Sequence, residues 1–191
     1  MSRFLRWALV VFVASCGGGQ HSAPRNLDDA CALSYERPEF FRAMERTERR
    51  WRVPVHVQAA VIYQESKFIG DARTPFNYAL GVIQMGRQSS AYGFAQALDA
   101  TWEEYQDEAG GRSARRDDIA DATDFMGWYM NKTLEKNGVP LDDAASQYLA
   151  YHEGHTGFAR GSHNAKAWLL RVSGEVAARA EVYRQQLLTC R

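Results

Sequence analysis

The chain has 191 residues, 46% of them hydrophobic and 12% aromatic, which suits one domain with a real core and excludes global disorder. Its 23 basic and 23 acidic side chains cancel, and loss of Arg3 and Arg6 with the first fifteen residues would leave an acidic excess of two. A balance of that kind gives no reason to expect a nucleic-acid partner.

Arg3 and Arg6 precede a short apolar run from Trp7 to Ala14, and Val13-Ala14-Ser15 supplies small residues before Cys16. This is the layout of an export signal over residues 1–15, too short in its apolar part to span a bilayer as a helix. Val-Ala-Ser-Cys resembles a bacterial lipobox, which implies that Cys16 becomes the acylated first residue of the mature chain. The plainer reading is an ordinary signal peptide followed by a chance cysteine. Residues 16–30 then read as the lipidated Cys and a flexible tether, headed by Gly17-Gly18-Gly19. Gly17 stands where a lipoprotein retained in the inner membrane usually carries Asp. The resemblance therefore implies an outer-membrane anchor facing the periplasm, in a Gram-negative host.

The domain proper is expected over residues 31–191, bracketed by Cys31 and Cys190. Past an export signal the compartment is oxidising, and an even remainder of cysteines invites a disulfide. Two buried free thiols are the alternative.

Helical patterns dominate, and alternating β-branched runs are nearly absent, so the fold class is all-α. Pro38 suits a first helical turn before the charged stretch Glu39 to Trp51. Pro54 opens a second helix through about Glu65, with Val55, Ala59 and Ile62 on one stripe. Lys67 to Ala91 has no clear period and contains Gly70, Pro75, Gly81 and Gly86, which reads as a long loop. Asp99 is a plausible N-cap for a helix to about Ala109, closed by Gly110-Gly111. Ile119, Ala122, Met126, Tyr129, Met130 and Thr133 then share a helical face, terminated by Asn137-Gly138; Asp142 or Asp143 caps a helix running to Gly154. A last helix starts at about Glu175, with Val176, Ala180, Tyr183 and Leu187 at core spacing.

Three segments carry candidate chemistry. Tyr63-Gln64-Glu65-Ser66 places a carboxyl at the end of a semi-buried helix, where desolvation raises its pKa and makes a general acid. The second is Ser90 to Trp102, around Tyr92-Gly93-Phe94-Ala95-Gln96, and the third is Tyr148-Leu149-Ala150-Tyr151-His152-Glu153-Gly154. In this order the set resembles the soluble lytic transglycosylase family, whose motifs are Glu-Ser, Gly-Leu-Met-Gln and Ala-Tyr-Asn. Asp118-Ile119 resembles the family's Asn-Ile segment. The resemblance spans roughly residues 40–160 and implies a lysozyme-like, goose-type helical domain.

It also implies the roles. Glu65 matches the single catalytic carboxylate, which protonates the glycosidic oxygen between N-acetylmuramic acid and N-acetylglucosamine and yields a 1,6-anhydro end. Ser66, Tyr92, Gln96, Tyr151 and His152 are the substrate-binding candidates. Peptidoglycan glycan strands are the implied partner, with no cofactor and no metal. Phe94-Ala95 in place of Leu-Met, His152 in place of Asn, and a longer stretch from Glu65 to Gln96 mark a divergent branch.

Other readings stay open. A muramidase of similar fold would use water, and a silent glycan-binding lipoprotein would keep the groove without turnover. His152-Glu153-Gly154-His155 suggests a zinc protease, but that motif needs its histidines four apart, where this chain has Thr156. The long loop is expected to wall or cap the groove, with Phe76 and Tyr78 as stacking surfaces.

Overall fold

The structure is a computed structural model and describes residues 21–190. The export segment, Cys16 and the head of the tether lie outside the described residues. The helices are α1 (Ala30–Glu36), α2 (Pro38–Trp51), α3 (Val55–Ser66), α4 (Asp99–Tyr105), α5 (Ile119–Asn137), α6 (Ala144–Ala159) and α7 (Ala167–Leu187). Between α3 and α4 lies one antiparallel hairpin, β1 (Phe76–Ala79) and β2 (Ile83–Arg87). Among the described residues, no helix is long and apolar enough to cross a membrane.

Helix α2 buries Phe40, Phe41, Met44 and Thr47, a stripe at helical spacing, and lies against α5. The approach is close: a Cβ on Gly127 of α5 would stand 2.5 Å from the Trp51 ring. Helix α3 is apolar on most of its circumference and is covered by α2, α6 and α7. Its buried Gln58 donates from Nε2 to the carbonyls of Met44 (3.0 Å) and Val53 (2.8 Å), pinning the α2–α3 corner. Trp102, Tyr105, Phe125, Trp128 and Tyr129 form an aromatic cluster with centroid spacings of 5.1–6.2 Å. Full burial of each such ring contributes roughly 1.5–3 kcal/mol.

The helix ends follow local chemistry. Asp118 accepts from the amides of Ala120 and Asp121 at the start of α5, and Gly138 closes it in the left-handed conformation. Asp143, rather than Asp142, caps α6 through the Ser146 amide. Leu98 occupies the cap position of α4, so Asp99 falls in the first turn, where its charge suits the helix dipole. Helix α7 begins at Ala167, eight residues before the expected start. Gly174 does not end it, because burial of Leu169 and Ser173 holds the first turns in place.

Two further expectations are corrected. The stretch expected as a structureless loop holds the β1–β2 hairpin, and neither strand packs on any helix. The tether is not free from residue 21 onward. The Gly70 amide donates to the His21 carbonyl (3.0 Å), Arg37 donates to Ser22 Oγ (3.0 Å), and Leu27 packs on the core. Tyr183 also donates to the Leu27 carbonyl. Cys31 and Cys190 are joined by a disulfide that ties α1 to the end of α7, with Cα atoms 5.5 Å apart.

Candidate active site

Glu65 sits in the last turn of α3, which ends at Lys67 in the left-handed conformation. The helix is buried along most of its length, so its final turn is carried into the middle of the domain with the carboxyl surrounded by protein and only partly open to solvent. Desolvation is the main influence on that carboxyl and pushes its pKa up to about 7. A hydrogen-bonding interaction with the Tyr148 hydroxyl and the positive charge of Lys67 act in the opposite direction and are outweighed. The acid form of Glu65 therefore persists towards neutrality.

Helix α6 supplies both aromatic neighbours. Tyr148 and Tyr151 lie one turn apart, and burial, then the charge of Glu65, pushes both phenols upward. Tyr151 donates to the Ala95 carbonyl at 2.5 Å and meets the ring of Tyr129 edge-on at 5.1 Å. That bond joins the third motif to the second. Gly93 begins the second motif at φ +83°, where a Cβ would fall 2.0 Å from the Arg116 carbonyl oxygen, so only glycine fits. Gln96 takes φ +48°, and its Nε2 donates to the carbonyls of Ala72 (2.9 Å) and Gly93 (2.8 Å).

Gln96, Leu98, Thr101, Tyr151, His152 and Glu153 are among the residues around a cavity of about 230 Å³. It continues past Thr101, Tyr129, Glu153 and Gly154 into a second cavity of about 480 Å³ that reaches Trp128 and Lys136. The two form a groove floored by aromatic rings and edged by polar groups, a lining that suits a sugar chain. Gln64 and Lys67, which flank the Glu65-Ser66 pair, border a third cavity of about 580 Å³ shared with α7.

The expected site residues divide. Tyr151, Gln96 and His152 border the groove. Ser66 does not: it is buried, and its hydroxyl donates back to the Ile62 carbonyl of its own helix at 3.3 Å. Tyr92 is not at the groove either. It sits at the root of the hairpin, donating to Asp117 (3.1 Å) with the Arg73 guanidinium 4.1 Å from its ring centroid. His152 is exposed, with its ring edge-on to Trp168 and its Nδ1 3.1 Å from Glu153. His155 turns away from it, stacking on Tyr129, because Gly154 at φ +72° breaks the helix between them.

Sequence reasoning missed two participants. Tyr148 opens the third motif one turn before Tyr151, yet the motif carried no sign of its hydrogen-bonding interaction with Glu65. Glu153 was read within a metal motif, yet Lys166 (2.6 Å), Ser162 and His152 enclose its carboxylate, leaving the side chain 4% exposed. Hydrogen bonds from Lys166 and Ser162 hold its pKa down at about 2.

A family model described as the transglycosylase SLT domain matches residues 4–190. No curated protein and no solved structure matches the chain.

Proposed function

The chain belongs to the transglycosylase SLT domain family, and on that premise we propose that it is a lytic transglycosylase cutting peptidoglycan strands between N-acetylmuramic acid and N-acetylglucosamine. The observation that carries this reading is Glu65, a carboxyl set by burial to titrate at about 7 under the influence of Tyr148 and Tyr151, the second of which borders the aromatic groove. In the protonated form it donates to the glycosidic oxygen as the C1–O bond breaks, and the acetamido group supports the cationic centre. The carboxylate then accepts the proton of the muramoyl 6-hydroxyl, whose oxygen bonds to C1. The proton returns to Glu65, no water is consumed, and a 1,6-anhydro end is left.

A hydrolase of the same fold would need a base to activate water. Of the acidic residues lining the groove, Glu104 is bound to Lys132 (2.6 Å), and Glu153 titrates at about 2 and is a weak base already committed to Lys166 and Ser162. That favours the anhydro product over a reducing end. Residues 1–16 support export and acylation at Cys16, with an outer-membrane, periplasm-facing address as the accompanying proposal.

Mass spectrometry of muropeptides released from purified sacculi tests the reaction. Anhydro-muramoyl ends are expected; reducing muramoyl ends would make the enzyme a muramidase, and no release would leave a glycan-binding protein.

A further inference from the structure

We propose that the β1–β2 hairpin is a membrane-docking arm whose apolar tip enters the headgroup region of an anionic bilayer. Leu80 is 90% exposed, Val82 80%, Met85 67% and Ile83 52%. A solvated two-stranded ribbon has no core to cover, and polar residues would serve it on both faces. Here the tip is apolar on both faces, which marks a binding surface.

The turn strengthens the point. Leu80 and Gly81 both take positive φ, +52° and +74°, and the Val82 amide donates to the Ala79 carbonyl at 3.2 Å. Such a turn favours Asn-Gly, and a leucine held there is strained. The arm places its most exposed apolar side chain at the turn against local preference, as strained functional positions do.

Charge and chain geometry choose the occupant. From Ala72 to Ser90 the charged residues are Arg73 and Arg87, two cations below the apolar tip, with Asp71 and Asp117 further down at the root. That order matches the order of layers in an anionic bilayer. His21 is held near the arm's root, where its carbonyl accepts from the Gly70 amide. Cys16 lies five residues further back, a reach of at most about 18 Å when extended. The ribbon is itself on the order of 15 Å long. A bilayer holding an acyl chain at Cys16 is therefore within reach of the arm. Unpaired strand edges limit the arm to interfacial depth.

The choice of a bilayer rests on the Cys16 reading, so the test uses protein without lipid. A chain starting at Gly17, which keeps every described residue, is sedimented with vesicles of phosphatidylethanolamine and phosphatidylglycerol, and with neutral phosphatidylcholine vesicles. Binding to the anionic vesicles is expected, weaker to the neutral ones, and reduced at least about tenfold in Leu80→Asp/Val82→Asp. An unchanged melting temperature checks that the exposed substitutions leave the domain folded. Equal binding by the variant, or no binding by the parent chain, overturns the proposal even if Cys16 proves acylated. A concentration-dependent dimer that the variant abolishes would overturn it in favour of a second copy. A changed product ladder with unchanged vesicle binding would overturn it in favour of a glycan wall.

Discussion

The Tyr148 hydroxyl acts on the Glu65 carboxyl against the direction of burial: desolvation raises the acid's pKa, and the tyrosine holds part of that rise back. A general acid must be protonated, so cleavage by the free enzyme should fall as pH rises through about 7. In Tyr148→Phe the restraint is gone and this alkaline limb should move to higher pH. Initial rates on sacculi from pH 5 to 9 measure it; a limb that stays in place would detach Tyr148 from the acid's tuning.

Glu65→Gln should lower turnover by about 10²–10⁴-fold or more while the helical circular dichroism is unchanged, since an amide cannot cycle the proton. It should also stabilise the fold at alkaline pH. The folded pKa lies above the unfolded value near 4.5, so ionised Glu65 is a burden that is absent below about 4.5 and complete above about 7. Allowing for its opening to solvent, the gain at pH 8 is on the order of 1–3 kcal/mol, a few degrees in melting temperature. Melting curves at pH 4 and pH 8 check the sign: the gap between variant and parent should appear only at pH 8.

Glu153 works in the opposite sense. Its folded pKa of about 2 lies below the ordinary value, so its contribution to stability is full above about 4.5 and lost as pH falls towards 2. Glu153→Gln should cost about 1–2 kcal/mol at pH 7 by weakening the bonds to Lys166 and Ser162. The deficit should shrink in melts taken between pH 4.5 and 2.5. A deficit of constant size across that range would mean that charge is not what the network uses.

The Cys31–Cys190 bridge closes nearly the whole domain, with a sequence separation of 159. The chain-entropy account gives it about 5 kcal/mol at most. Cys31→Ser with Cys190→Ser should lower the melting temperature by on the order of 10 °C. Calorimetry of the double variant measures this, and an unchanged melting temperature would show that packing of α1 on α7 suffices.

Cys16→Ala should shift the protein from the membrane fraction to the soluble or unprocessed pool. Intact mass of the mature chain reads the same point, since an acylated Cys16 adds the mass of its lipid. Unchanged processing and fractionation in the variant would remove the lipid anchor.

Much of this protein was legible one segment at a time. The apolar stripe of α2, the Asp118 and Gly138 ends of α5 and the Gly154 break each depend on neighbours within about four residues, which a sequence displays directly. The order of three short motifs around Glu65, Gln96 and Tyr151 was visible for the same reason. What lay beyond reach depends on contacts between distant segments. Glu65 is an acid because α6, some 80 residues away in sequence, closes over it with Tyr148 and Tyr151; desolvation is a property of the assembled core and not of the Glu-Ser pair. Ser66 was expected at the sugar, but one step along a helix turns a side chain by about 100°, and the packing of α3 turns this hydroxyl back onto the Ile62 carbonyl of its own helix. The hairpin escaped notice because its strands bury no face, so no alternation was imposed on the sequence; only the fold shows it standing clear of the helices.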